Sequence, residues 1–275
     1  MKDDLGVVVG YESSGRSLAA LRWAAAEATA RKVPLTVCHA WEWPYHEWPG
    51  ELVPYELVRR PVQRLLKRAA DWAARHYPAL PVNTLSASGT PAALLADLSR
   101  EASLVVVEAN GGGALAGLVA RSVSLQVATH AWCPVIIVRG DSEALSGREV
   151  VAGFDGSPAS VEALALAAGE ADRLGVRLKV LIARETGVPP EGLAWEEIAP
   201  LQHAYPELKV EVEQADEPAR PALLEAARRA GLLVVGARGL GQIRGLLLGS
   251  VSQAMARHAP CSVAVVHRRD RAEFP

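Results

Sequence analysis

The sequence predicts an α/β fold made twice: two tandem Rossmann-like domains, each a parallel sheet flanked by helices. Two observations predict it. The chain repeats itself, since Val8-Val9-Gly10-Tyr11-Glu12-Ser13-Ser14 aligns with Val151-Ala152-Gly153-Phe154-Asp155-Gly156-Ser157 at an offset of 143 (153 − 10), which holds through Val33–Val37 on Val176–Val180. Leu104–Val107 then aligns with Leu232–Val235, and His130–Cys133 with His258–Cys261, both at 128 (232 − 104). Two ungapped blocks in the same order mark a duplication, with the second copy 15 residues shorter (143 − 128) between its second strand and third helix. Within each copy, short apolar runs also alternate with helical spacing, the pattern of right-handed β-α-β units in a parallel sheet.

In order, Leu5 to Gly10 is a short apolar run ending in glycine, read as a buried strand. Residues 17–31 carry Leu18, Leu21, Ala25 and Ala28 at helical spacing. A strand is expected over 35–41, a helix over 55–77 and a strand over 82–87. Pro91 suits a helix first turn and opens a helix to about 101. A strand over 104–107, a helix over 115–131 and a strand over 135–138 close the first copy. The second copy is expected as strand 149–154, helix 159–174, strand 177–182, a shortened segment 191–204, strand 208–213, helix 219–230, strand 232–235, helix 246–258 and strand 262–267. The polar, glycine-bounded stretch from Gly140 to Gly147 separates them. The expected division is 1–140, a linker over 141–147, and 148–275.

Composition excludes several classes. Half of the 275 residues are hydrophobic, 22% are charged and the net charge is −2, so no electrostatic footprint for nucleic acid or an anionic membrane is expected. No apolar stretch reaches the roughly 18 residues of a membrane span. The opening MKDDLGVVVG carries two aspartates and runs into a strand, unlike a signal peptide. Cys38, Cys133 and Cys261 are scattered without a C-x-x-C pair, which suits three small buried hydrophobes in a reducing cytoplasm rather than disulfides or zinc.

The chemistry sits after the fourth strand of the second copy, in Gly236-Ala237-Arg238-Gly239-Leu240-Gly241-Gln242-Ile243-Arg244-Gly245-Leu246-Leu247-Leu248-Gly249-Ser250. A buried strand that ends in a glycine-rich loop before a helix offers phosphate both backbone N–H groups and a positive helix end. Glycine lets the backbone approach a ligand closely. Ser250 adds a hydroxyl, and Asp155 at the end of the first strand faces the same crevice. No Gly-Lys-Ser/Thr follows, so the loop is not a Walker A motif.

On these residues the chain resembles the universal stress protein family in its tandem form, over nearly its whole length twice. Val151–Ser157 resembles the family's opening strand and turn, Gly236–Ser250 its ATP motif at every defining position, and Ala259-Pro260-Cys261-Ser262-Val263 its closing strand. The resemblance implies five-stranded parallel sheets of order 3-2-1-4-5, with dimerisation commonly through the last strands. It implies ATP in the crevice, lined by Asp155, Gly156, Ala183, Gly236, Arg238, Gly239, Gly249, Ser250 and Val251; Ala183 rests on an aligned strand end rather than a motif. Mg²⁺ could accompany the nucleotide through Asp155. The expected function is nucleotide-dependent regulation in a stress response, the alternatives being slow ATP hydrolysis or a scaffold that binds no nucleotide. The two copies could form an intramolecular pseudo-dimer, and two chains a homodimer.

The first copy has lost parts of the motif. Glu108 stands where the second copy has Gly236, Arg121 for Gly249, Glu12 for Asp155 and Ser13 for Gly156, while Gly111 and Ser122 keep the residues of Gly239 and Ser250. A carboxylate beside phosphate repels it by on the order of 1–4 kcal/mol. Arg121 is expected to pair internally with Glu108 or Glu12 and fill the pocket; the other reading is a different anionic ligand held by its guanidinium. Segment 41–55 holds Trp41, Trp43, Tyr45, Trp48 and Tyr55. It reads as a loop covering a domain or, alternatively, as a lid or partner surface. His46 lacks a second ligand for a metal, and His130 and His258 read as helix C-terminal residues.

Overall fold

A computed structural model of the chain describes residues 5–12, 14–41, 55–109, 122–140, 148–183, 191–240 and 247–267. The aromatic segment between Trp41 and Tyr55, Arg121, Gly111 and the expected linker 141–147 lie outside the described residues. The chain divides into two compact units, residues 1–127 and 128–275.

The first unit contains β1 (Val7–Gly10), α1 (Gly15–Arg31), β2 (Leu35–Trp41), α2 (Tyr55–His76), β3 (Val82–Ser88), α3 (Pro91–Leu98) and β4 (Leu104–Glu108). Its strands run in the order β3-β2-β1-β4, all parallel, with Val7 in register with Leu35 on one side and Leu104 on the other. Helix α4 (Val123–His130) follows, and then the second unit continues with β5 (Val135–Val138), β6 (Val150–Gly153), α5 (Pro158–Leu174), β7 (Leu178–Ala183), α6 (Glu191–Ala204), β8 (Val210–Ala215), α7 (Ala219–Ala226), β9 (Leu232–Gly236), α8 (Ser250–His258) and β10 (Ser262–Val266). Here β8-β7-β6-β9-β10 is the expected 3-2-1-4-5 order, parallel throughout. β5 pairs antiparallel with β10, Ile136 opposite Ala264. The central strands are covered on both faces, which is why Val7–Val9, Leu104–Val107, Val150–Ala152, Leu232–Val235 and Val263–Val266 are all buried and all apolar.

Local chemistry sets the helix ends. Ser14 and Ser157, equivalent residues, cap α1 and α5 by accepting the N–H of Ser17 at 2.9 Å and of Ser160 at 3.3 Å. Both helices close on a left-handed residue, Lys32 (φ 56°) in the first copy and Gly175 (φ 64°) in the second, and Val33 and Val176 donate back to Ala28 and Ala171 at 3.0 Å. Several expected boundaries move. α3 and α7 stop at Leu98 and Ala226, before 101 and 230, because the following residues tighten into turns such as Arg100 N to Asp97 O and Arg228 N to Glu225 O. β8 begins two residues later than expected because Leu208 closes a turn onto the Tyr205 carbonyl. α8 begins at Ser250 rather than 246, since Gly249 is extended (ψ 155°) as its cap. α4 is described only from Val123, and the earlier part of its expected span lies outside the described residues. Cys38, Cys133 and Cys261 are buried and outside any disulfide, as three small hydrophobes would be, and no described helix is long and apolar enough to cross a membrane.

Candidate functional site

At the carboxyl end of β6 the chain buries Phe154 and then exposes Asp155 partly. Gly156 follows with φ +77°, a conformation that favours glycine. The turn it makes lets the Ser157 N–H donate to Asp155 Oδ1 at 3.0 Å. The other carboxylate oxygen, Oδ2, accepts the N–H of Leu240 at 3.1 Å. Asp155 therefore ties the end of β6 to the glycine loop after β9. The Ser157 hydroxyl makes a second tie, donating to the Arg238 carbonyl at 3.2 Å. On the loop's other side, Ala237 N donates to Val266 O at 2.7 Å, Gly249 N to Ala237 O at 2.8 Å, and the Ser252 hydroxyl to Gly236 O at 2.5 Å.

The three motif glycines are glycine for different reasons. A Cβ on Gly236 would lie 2.8 Å from the Ala159 carbonyl carbon and 2.9 Å from Ser160 N, so α5 packs where the side chain would go. A Cβ on Gly239 would collide with the Asp155 carboxylate. A Cβ on Gly249 would meet Ala237 O at 3.4 Å and Arg238 Cα at 3.7 Å, ordinary contact, and its φ of −69° suits any residue. Helix packing at Gly236 and a carboxylate at Gly239 each leave no room for a Cβ. At Gly249 the fold itself makes no such demand.

Gly249 is also the N-cap of α8 and, having no side chain, makes no side-chain cap hydrogen bond to that helix's first turn. α1, α3 and α5 all have a Ser or Thr acceptor in that place. The free N–H groups of a helix start, with the positive end of its dipole, suit an anion. Arg238 adds an exposed guanidinium beside it, its Nε donating to Leu247 O at 3.4 Å. His267, just past β10, adds no charge at neutral pH. Burial holds its imidazole down to about 4, and Arg238 pushes the same way against a hydrogen bond to Ala128. Its Nε2 donates to the Ala128 carbonyl at 3.0 Å.

Of the residues expected from sequence, Asp155, Gly156, Gly236, Arg238, Gly239 and Gly249 come together in this bonded cluster. Ser250 and Val251 open α8 beside it. Ala183 ends β7 in register with Ala215, two residues past Leu181, which pairs with Gly153. Sequence reasoning missed Ser157 and Ser252 as loop supports and the Leu240 N–H as the partner of Asp155. The Ser157 cap was readable from the Asp-Gly-Ser run before Pro158, whereas nothing local in sequence points Ser252 at Gly236.

The first copy builds something else at the same place. The Glu108 carboxylate accepts the Ser14 hydroxyl at 2.8 Å, and burial, with the neighbouring Glu12 adding to it, lifts its pKa to about 7. The expected pairing of Arg121 with these carboxyl groups lies outside the described residues.

Comparison with known proteins agrees with this architecture. The sequence model of the universal stress protein family matches residues 6–139 and again 147–267. A universal stress protein of Mycolicibacterium smegmatis is 37% identical over 97% of this chain and 98% of its own length. A universal stress protein from Archaeoglobus fulgidus superposes with a TM-score of 0.72 at 20% identity, covering 96% of this chain and 97% of its own. A further universal stress protein, solved in complex with cAMP, aligns with 49% of this chain at 29% identity and a TM-score of 0.39.

Proposed function

This chain belongs to the universal stress protein family, and we propose that its second domain binds an adenine nucleotide, ATP foremost, whose bound state regulates the protein's assembly or choice of partner. The observation that carries the reading is α8: its N-cap makes no side-chain cap hydrogen bond, and that cap, Gly249, is a glycine that neither packing nor backbone conformation requires among the described residues. A ligand that comes close to the backbone there explains both. Phosphate at the start of α8 would meet backbone N–H groups, the Ser250 hydroxyl and the Arg238 guanidinium. Asp155 spends one oxygen on each of two backbone donors, and each oxygen keeps a lone pair for a ribose hydroxyl or a Mg²⁺-bound water. The arrangement is one of binding and positioning rather than of acid–base chemistry.

Isothermal titration of Mg-ATP into the full chain tests it, with Gly249→Arg as control. One site per chain, lost in the variant, is expected, and ADP release no faster than in a protein-free control. Two sites would show that the first domain also binds. The absence of heat and of co-purified nucleotide would overturn the reading in favour of a scaffold.

A further inference from the structure

Two equivalent serines give their hydroxyl protons to different kinds of acceptor. Ser14 and Ser157 each cap the helix that follows the first strand of their copy, and each donates across to the segment where that copy's fourth strand ends. The Ser157 hydroxyl goes to the backbone carbonyl of Arg238 at 3.2 Å, the Ser14 hydroxyl to the Glu108 carboxylate at 2.8 Å. A second equivalent pair parts in the same way. Ser252, on the first turn of α8, donates to the Gly236 carbonyl at 2.5 Å, whereas Ser124 lies 3.0 Å from the Ser122 hydroxyl. In the second domain, two side-chain donors therefore hold the backbone as it leaves β9. In the first, the equivalent hydroxyls have other partners.

We propose that Ser157 and Ser252 are positioning residues for the nucleotide: by holding the Arg238 and Gly236 carbonyls they aim the loop's N–H groups and the Arg238 guanidinium before the ligand arrives. The inference rests on nucleotide binding by the second domain, and adds two residues that set the affinity without touching the ligand.

The geometry of the peptide group makes the connection. A trans peptide is planar, so a carbonyl and the next N–H point opposite ways. Tying Arg238 O to Ser157 thus fixes the direction of the Gly239 N–H. Tying Gly236 O to Ser252 does the same for the Ala237 N–H, which donates to Val266 O at 2.7 Å. Between these ties stands Arg238, whose Nε donates to Leu247 O at 3.4 Å. Asp155 completes the hold downstream through the Leu240 N–H at 3.1 Å. Ser157 and Ser252 are only 2% and 4% exposed, so each hydroxyl has to find its acceptor within the protein. Ser157 also accepts the Ser160 N–H at 3.3 Å, which makes the start of α5 and the loop one bonded unit. A loop set in advance loses less freedom on binding, and that difference appears as affinity.

The test is isothermal titration of Mg-ATP into the full chain and into Ser157→Gly, Ser252→Ala and Ser157→Thr. Glycine caps a helix nearly as well as serine, and alanine suits a helix interior, so the first two variants remove a donor and spare the helices. Each should raise Kd about three- to tenfold, the net worth of one hydrogen bond. Ser157→Thr keeps the hydroxyl and should bind as the unaltered chain does. Hydrogen exchange without nucleotide separates loop from helix: the Leu240 amide should exchange faster in Ser157→Gly while the amides of α5 beyond its first turn keep their rates. An unchanged Kd in either donor-less variant, with the unaltered chain binding, overturns the proposal and leaves nucleotide binding standing. No binding by the unaltered chain overturns both. Faster exchange throughout α5, with affinity that Ser157→Thr does not restore, overturns the proposal in favour of a helix cap alone. If Ser157→Gly does not fold, Ser157→Ala serves the same comparison.

Discussion

Gly249 and Gly236 look alike in the motif and separate at the level of single atoms. Gly249→Ala adds a methyl group in ordinary contact, so the fold should keep its stability to within about 0.5 kcal/mol, while Mg-ATP affinity measured by titration falls. Gly236→Ala drives the same methyl against the backbone of Ala159 and Ser160 and should cost about 1–3 kcal/mol in denaturant unfolding. Two titrating residues act on stability in opposite senses. His267 has its folded pKa lowered from 6.5 to about 4, so the stability it contributes is present above 6.5 and is lost as pH falls through that window. The loss approaches on the order of 3 kcal/mol for a shift of this size, and His267→Gln should flatten it in urea melts run from neutral to acid pH. Glu108 has its folded value raised from 4.5 to about 7, so its contribution is present below 4.5 and is lost as pH rises toward 7. Glu108→Gln should remove that component and raise the melting temperature above neutrality. Because the two windows overlap, the single variants, not the parent profile, separate them.

At the scale of elements, the two copies solve the same problem with different residues, and the comparison makes its own prediction. α1 ends on Lys32 in the left-handed region and α5 on Gly175 in the same place. A side chain costs about 1–2 kcal/mol there, so Lys32→Gly should stabilise the chain by about 1 kcal/mol after glycine's greater unfolded-state entropy is set against it. A melting temperature unchanged or lowered in that variant would mean the lysine makes contacts that outweigh its backbone. Element type and order were legible in sequence because buried parallel strands must be apolar throughout and amphipathic helices must repeat near 3.6 residues. Their ends were less so. Leu208, for example, is as apolar as a strand residue, yet its N–H is spent on Tyr205 and the strand starts at Val210. Likewise Gly249 interrupts an apolar stretch that reads as helix, and only its extended ψ places the start of α8 at Ser250.

Over the whole chain, the duplication has kept the scaffold and changed what its strand ends carry. One expects one nucleotide per chain rather than two, with the carboxyl groups of Glu12 and Glu108 standing where the second copy has a loop supported by Asp155. The second unit also holds a contact that no local pattern announces. Arg139, just after β5, donates from its guanidinium to Ala256 O at 2.5 Å and Cys261 O at 3.4 Å, and its N–H donates to the Ser262 hydroxyl at 3.0 Å. Arg139→Ala should cost about 1.5–3 kcal/mol, the range for hydrogen bonds to a charged group, in the thermal unfolding of the full chain. Repeat and alternation of apolar runs were enough by themselves to determine an α/β fold made twice, and the resemblance of Val151–Ser157, Gly236–Ser250 and Ala259–Val263 pointed to the family and its strand order, because each is written in residues close together along the chain. The tertiary structure alone decided that β5 pairs antiparallel with β10, since a fully buried apolar strand reads the same in either direction. It alone decided that Gly236 answers to α5 and Gly239 to Asp155, and that the Ser14 hydroxyl donates to Glu108. Those are distances between residues some 80 to 100 positions apart, and composition and spacing carry no record of them until the sheet brings the strand ends side by side.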